Sequence, residues 1–370
     1  MPNAELTVSA PGRICLFGEH QDYLGLDVIA AAVDVRIRLS GRRRADSRMA
    51  IDCPDLAEKD EFDPAVDIPY VKPRDYLRSV VNVLKRRGVP LSPGWDVVIR
   101  GTIPINAGTS SSSALVVAWN QFLLEAAGRG GTVSPEEIAE LGYLSEVAEF
   151  GEPGGKMDHY TSACGGTVWI RFDDPLAITP LPPPPGEFVL ADSLEKKDTT
   201  GTLGSVKSRV LAGVAEIRKA HPGFSLKADP TPAMAEGISR LPADPRRLLE
   251  AALRNRDLTR RGVDLFQSSP FDGRRFGELL SLQHGLLRDG LRISTPKIDR
   301  ILEAALGAGG LGGKINGSGG GGCAFVYAPG RAGAVVEACR RAGAKPVIIR
   351  IDGGVRVESG RTSDRSQEAP

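Results

Sequence analysis

The chain has no Cys-x-x-Cys pair, no His-Glu-x-x-His and no Cys/His cluster, which argues against a structural zinc site. Its five cysteines (Cys15, Cys53, Cys164, Cys323, Cys339) are an odd and unpatterned set. A disulfide framework is therefore not expected, and each reads as a small buried apolar residue in a reducing compartment. The stretch MPNAELTVSAPG is neither basic nor apolar, so no signal peptide is expected. No apolar run approaches the length that spans a bilayer. A formal net charge of +1 argues against a nucleic-acid surface and against an acidic tail. No repeat recurs at a fixed period, and the absence of Gly-Lys-Ser/Thr excludes a Walker phosphate loop. What remains is an average globular composition, 41% hydrophobic and 25% charged, expected to be cytoplasmic.

A length of 370 residues suits two domains of ordinary size. Strands are expected over 5–17, interrupted at Pro11-Gly12, and over 28–39, 95–103, 167–172 and 188–191. The basic segment 41–48 reads as a solvated hairpin or loop. Helices are expected over 75–87, where Leu77, Val80, Val81 and Leu84 share a stripe, over 114–127 and over 135–150. Pro182 to Pro185 form a rigid spacer and the best boundary. Beyond it helical patterns dominate (205–220, 246–266, 274–287, 295–306, 332–342), broken by strands at 323–327 and 346–351. The expected units are 1–185, 186–352 and a frayed polar tail over 353–370. Strands and helices do not alternate strictly, so two α+β domains fit better than a doubly wound sheet.

Four stretches carry chemistry. In APGRICLFGEHQD, residues 10–22, an apolar run leaves Arg13 at one end and Glu19, His20, Gln21 and Asp22 at the other. So many polar groups at one strand exit suit a grip on a polyhydroxylated molecule. In PINAGTSSSSALVVAW, residues 104–119, Gly108 permits a tight turn and Ser110 to Ser113 precede a helix. A helix N-terminus presents unpaired N–H groups to phosphate, and the hydroxyls add donors or a magnesium ligand; an ordinary serine cap is the plainer alternative. In EVAEFGEPGGKMDHYTSACGG, residues 146–166, a Gly/Pro turn sets Asp158 ahead of a short helix, placed to accept a hydroxyl proton or simply to cap. Glu146 is a possible magnesium partner. In KINGSGGGGCAFVYAP, residues 314–329, glycines precede a buried strand, which implies close backbone approach to a ligand-bearing loop. His20 and His159 lie inside these clusters. His284, among leucines, reads as a structural hydrogen-bonder.

Taken together and in this order, the motifs resemble the GHMP family of small-molecule kinases. PGRICLFGEHQDYLG looks like the first motif in its sugar-kinase form, AGTSSSSAL the phosphate-binding second and KINGSGGGGCAF the third. GEPGGKMDHYTSACGG and the stretch from RNRDLTRRGVDLF to STPKIDRI are similar to galactokinases. The resemblance implies a two-domain α+β kinase fold with the site in the interdomain cleft and a left-handed βαβ unit in the first domain. It implies ATP and Mg2+ as cofactors and transfer to the anomeric hydroxyl of a monosaccharide, galactose first. Arabinose, fucose or galacturonate are alternative acceptors, mevalonate or homoserine are disfavoured by Glu-His followed by Asp-Tyr, and a catalytically silent sugar sensor is a further alternative. By the same resemblance Asp158 and Arg13 are catalytic, and Glu19, His20 and Asp22 grip the sugar with Asp158. Gly108, Thr109 and Ser110 to Ser113 hold the nucleotide, and Ser112 and Glu146 hold the metal. The expected partners are a monosaccharide and ATP, with no nucleic acid and no membrane, and the chain as monomer or weak homodimer.

The chain departs from the galactokinase pattern at Gln21, Leu24, Asp27 and His159, the last where glutamine is usual, and throughout ADSLEKKDTTG, residues 191–201. Several departures lie on the sugar side, so ATP as donor is the firmer implication. Lys156, Lys196 and Lys197 raise an anionic sugar as an alternative, although surface solvation explains them more cheaply.

Overall fold

Runs of mostly apolar residues buried on both faces build the centre of the first sheet. In the computed structural model, which describes residues 5–358 except 65, 67 and 106, Glu5–Phe17 (β1) pairs antiparallel with Val28–Arg43 (β2). The expected break at Pro11-Gly12 is only a shift of register within one continuous strand. Gly12 lets the neighbouring loop approach, since a Cβ there would sit 3.0 Å from the Thr109 carbonyl oxygen. β2 runs on to Arg43, so part of the expected basic loop is strand. An unanticipated hairpin follows, Met49–Cys53 (β3) and Glu58–Phe62 (β4). Tyr76–Arg86 (α1) then leads to Trp95–Gly101 (β5), parallel to β3 and antiparallel to β2.

Ser111–Ala126 (α2) begins at Ser111 rather than Ala114 and buries nearly its whole circumference. Pro135–Tyr143 (α3) starts on a capping box between Ser134 and Glu137. Its expected continuation to Phe150 gives way to a π-turn over Leu144–Ala148, closed by the Glu149 amide on the Leu144 carbonyl at 3.0 Å. Met157–Cys164 (α4), Thr167–Arg171 (β6) and Ala177–Leu181 (β7) follow. The sheet runs β4-β3-β5-β2-β1, and β6 joins β2 and carries β7.

The prolines 182–185 separate β7 from Phe188–Asp192 (β8), which belongs to a second sheet. Thr199–Ala220 (α5) begins six residues earlier than the pattern suggests, and Pro232–Ser239 (α6) was not anticipated. Ala243–Gln267 (α7), Gly273–Gly285 (α8) and Pro296–Gly307 (α9) follow. Gly312–Ile315 (β9), Cys323–Tyr327 (β10), Ala332–Arg341 (α10) and Lys345–Ile349 (β11) complete an antiparallel sheet in the order β11-β8-β10-β9. The two sheets and their helices make the mixed α+β architecture expected.

The start of the tail is not frayed. Arg36 donates to the Asp352 carboxylate and to the carbonyls of Gly353 and Gly354, and Arg356–Val357 (β12) pairs with β1 in the first sheet. Residues 359–370 of the expected tail lie outside the described residues, as does Asn106 in the serine-rich turn.

All five cysteines are free; Cys15, Cys323 and Cys339 are buried, whereas Cys53 and Cys164 are partly exposed. Buried apolar residues form two clusters. One lies under the first sheet and reaches Phe188, Phe276 and Tyr327; the other gathers α5, α7 and α9 against β8–β10. Phe17 of β1 meets Phe276 of α8 edge-on at 5.8 Å, so the halves share packing. Among the described residues no helix is long and apolar enough to cross a membrane.

Candidate active site

β1 carries Arg13 into a cleft where all four singled-out stretches meet. The guanidinium clasps Asp158 in two bonds, Nε to Oδ1 at 2.7 Å and Nη2 to Oδ2 at 3.0 Å, and Nη1 donates to the Gly108 carbonyl at 2.5 Å. Asp158 sits in the first turn of α4, after the residue that ends the Gly/Pro turn. Burial works against its charge, but Arg13 and the Ser110 hydroxyl outweigh that and hold it below the usual carboxylate range. Arg13 is likewise held charged against burial, chiefly by Asp158 and Glu19.

Ser110 is not an ordinary cap. It adopts the left-handed conformation at φ 59°, makes no side-chain capping bond, and donates its hydroxyl to Asp158 Oδ2 at 2.5 Å. Ser111 to Ser113 open α2 along the cleft wall. Thr109 faces away, its carbonyl accepting the Arg13 amide at 3.2 Å.

The glycine-rich stretch backs this loop, as its composition implies. A Cβ on Gly108 would lie 2.3 Å from the Asn316 carbonyl oxygen, and one on Gly322 would lie 2.7 Å from that of Ala107. Asn316 bridges the parts: its amide nitrogen donates to Gly108 at 2.8 Å and its oxygen accepts from the Cys15 amide at 2.9 Å.

At the other end of the cleft stand Glu19, His20 and Asp22. Glu19 Oε2 accepts from Lys314 Nζ at 2.8 Å and from the Gly317 amide at 2.9 Å, with both side chains essentially buried. His20 has φ 63°; Nε2 donates to the Ser318 carbonyl at 3.0 Å, so Nδ1 accepts from the Tyr23 hydroxyl at 2.7 Å. Burial lowers its pKa, favouring the neutral ring. Asp22 accepts the amides of Tyr23 at 2.9 Å and Met157 at 3.2 Å. Burial, then the charge of Asp158, raise it to about 6.

Several residues that differ from the galactokinase pattern turn away from the cleft. Gln21 bonds to α7 instead, its Nε2 donating to the Ala252 carbonyl at 3.3 Å and its Oε1 accepting from Thr259 at 3.1 Å. Asp27 accepts from the Trp169 indole at 3.1 Å, and Leu24 packs on the second core cluster. Lys156 pairs with Glu140 at 2.7 Å and Lys196 is exposed. His284 is structural as expected, with Nε2 3.1 Å from Asp299.

Lys197 is the exception among the lysines assigned to the surface. It lines the cleft, its ammonium donates to the Ser318 hydroxyl at 3.2 Å, and burial followed by the charge of Arg13 lowers it to about 8. Lys314 and Asn316 were also missed as individuals, although both lie in the third motif. Arg74, at φ 58°, reaches the rim and pairs with Glu152, which no local pattern signals.

Glu146 lies on the π-turn, buried, with Oε2 2.7 Å from His159 Nε2. Burial opposes its charge, but the bond and charge of His159 and the nearby Ser112 and Ser113 hydroxyls hold its pKa below the ordinary value. Among the described residues no three His, Cys, Asp or Glu side chains cluster as a metal cage. Magnesium carried on phosphates needs only one or two carboxylates, so one buried ionised glutamate beside serine hydroxyls fits it.

Comparison with known proteins agrees with this geometry. Residues 75–166 match the GHMP kinases N terminal domain, 249–345 the GHMP kinases C terminal domain, and 2–43 a galactokinase galactose-binding signature. A mevalonate kinase of Thermococcus sibiricus is 30% identical over 369 residues, covering 95% of this chain and 97% of its own. A galactokinase of Haemophilus influenzae is 29% identical over 346 residues, covering 88% and 85%. The Lactococcus lactis galactokinase complexed with galactose superposes with a TM-score of 0.82 at 21% identity, over 96% of this chain and 95% of that one. The Methanococcus jannaschii mevalonate kinase gives 0.73 at 18% identity, over 95% and 99%. Matched along nearly its whole length by kinases of one kind, and folded as they are, the chain belongs to the GHMP kinase family.

Proposed function

We propose that the protein transfers the γ-phosphoryl group of ATP to the anomeric hydroxyl of a monosaccharide, with galactose the first acceptor to test. The observation that carries this reading is the carboxylate of Asp158, clasped by Arg13 and Ser110 between the serine loop and the Glu19–His20–Asp22 cluster. The hydroxyls and helix amides at Ser110 to Ser113 hold the phosphates. Asp158 aligns the acceptor hydroxyl and takes its proton, and Arg13 keeps Asp158 ionised for that step. Glu146 and Ser112 would hold magnesium, which when bound would neutralise charge on the phosphates. Three hydrogen-bonding side chains at the acceptor end and the match to a galactose-binding signature favour a sugar.

A second acceptor, mevalonate, is favoured by the 30% identity to archaeal mevalonate kinases. Coupled ADP release over a panel of aldoses, uronic acids and mevalonate separates the two, with NMR reading the phosphate position. A 6-phosphate product, or turnover of mevalonate alone, overturns the proposed acceptor. A silent sensor would bind sugar and ATP without releasing ADP. Asp158→Asn is expected to bind ATP almost normally and to lose about a thousandfold or more in kcat. Wild-type turnover in that variant would refute the role of Asp158.

A further inference from the structure

The residue after Asp158 points the other way. On α4, Asp158 faces Arg13 while His159 turns toward the π-turn and meets Glu146. Both partners are nearly inaccessible, with side-chain exposures of 2% for His159 and 8% for Glu146. Because an ionised carboxylate only accepts, His159 Nε2 carries the proton and donates to Glu146 Oε2. The ring has little freedom. Gly142 of α3 lies against its edge, so that a Cβ there would be 3.0 Å from Cδ2, and Tyr143 meets it edge-on at 6.1 Å. Nδ1 is buried without a hydrogen-bond partner among the described residues. The imidazole therefore makes one polar contact, and that contact is Glu146.

Glu146 needs such a brace. A π-turn is a wide and locally irregular segment, and a carboxylate on it has several accessible orientations unless a donor selects one. Ser112 and Ser113 approach the same carboxylate from the start of α2. We propose that His159 is a positioning residue for the divalent cation, fixing Glu146 by one oxygen so that the carboxylate and the Ser112 hydroxyl are presented together to a metal–nucleotide complex. This rests on the kinase reading. It assigns a task to a residue at which the chain departs from the galactokinase pattern. Adjacent residues on one helical turn thereby set the two ends of the reaction, Asp158 the acceptor hydroxyl and His159 the metal carboxylate.

The test is Mn2+ binding in the presence of ADP, followed by the EPR signal of free Mn2+, with the full chain and no acceptor sugar. His159→Leu removes the donor and keeps the bulk; it is expected to weaken Mn2+ binding about 10- to 100-fold and to leave metal-free ADP binding unchanged. His159→Gln offers an amide N–H to Glu146 and is expected to restore most of the affinity. If His159→Leu does not fold, His159→Asn, whose amide stops short of Glu146, takes its place. A folded His159→Leu or His159→Asn that binds Mn2+ and ADP as wild type does overturns the inference, as does a His159→Gln as weak as the leucine variant. Wild type that binds Mn2+ with ADP yet transfers no phosphoryl group overturns the kinase reading instead, while the variant comparison still decides the role of His159.

Discussion

Lys197 and Arg13 are both cations of the cleft, yet their hydrogen bonds differ. Arg13 is bonded through all three guanidinium nitrogens, to Asp158 and Gly108, whereas among the described residues Lys197 donates to the Ser318 hydroxyl alone, which leaves N–H groups to offer a phosphoryl oxygen. Lys197 is thus the cation we propose to offset charge on the transferring phosphoryl group. The pH dependence follows from two groups. Asp22, raised to about 6, is protonated below that pH and able to accept from a substrate hydroxyl above it. Lys197, lowered to about 8, is charged below that pH and neutral above it. So kcat/KM is expected to rise through pH 6 and fall through pH 8. Lys197→Arg should carry the plateau past pH 9 or so, and Lys197→Met should lower kcat/KM about 100-fold on the plateau and progressively less above pH 8, where the wild-type amine is already neutral. An unchanged falling limb in Lys197→Arg would assign that limb to another group. At this scale, the residues legible in the sequence were those set in polar or glycine-flanked stretches: Arg13, Glu19, His20, Asp22, the serines, Glu146 and Asp158, all of which line the cleft. Lys314 was not, because its partner Glu19 lies 295 positions away and no spacing rule connects them. Lys197 was hidden by its neighbours, since a lysine pair reads as solvated surface.

Elements were legible where burial is one-sided. α1, with its single apolar stripe, matches its pattern to within a residue at each end, and so do β10 and α10. The β3–β4 hairpin escaped because the sequence EKDEF of β4 buries only Phe62. The π-turn escaped because one extra residue per turn barely disturbs a 3.6-residue period over five residues. That turn carries Glu146, so a small irregularity sets where the carboxylate proposed for the metal stands in the cleft. Upstream, α3 is secured by its capping box, in which the Ser134 hydroxyl accepts from the Glu137 amide at 3.2 Å and Glu137 returns a bond to the Ser134 amide at 2.9 Å. Ser134→Ala is expected to cost about 1 kcal/mol and to leave kcat and KM unchanged, because the cap is exposed and remote from the cleft. Urea denaturation and steady-state kinetics on one preparation check both halves. A loss of turnover at full stability would tie the cap to Glu146 and contradict the prediction.

Across the whole molecule, the two sheets are joined by polar as well as apolar contacts. Lys314, on β9 of the second sheet, is fully buried and pairs with Glu19 at the exit of β1 in the first. Asn316 adds bonds to Cys15 and Gly108. Removing one member of a buried pair strands the other, so Lys314→Met is expected to destabilise by about 3–5 kcal/mol. Adding Glu19→Gln should return much of that stability without restoring turnover, measured by thermal and urea unfolding. A Lys314→Met protein as stable as wild type would show that Glu19 has another counter-charge. The antiparallel β12 has a consequence of a different kind. Residues 356 and 357 are paired with Ser9 and Val8, and the Arg350 amide donates to Asp34 at 2.9 Å. The first sheet therefore stays open along the β1 edge until residues 356 and 357 have emerged from the ribosome, after every other described strand. The strand that bears Arg13 thus gains this neighbour only after the residues of the whole second sheet have been made, so its outer edge is sealed by a segment that the ribosome delivers later than any residue lining the cleft.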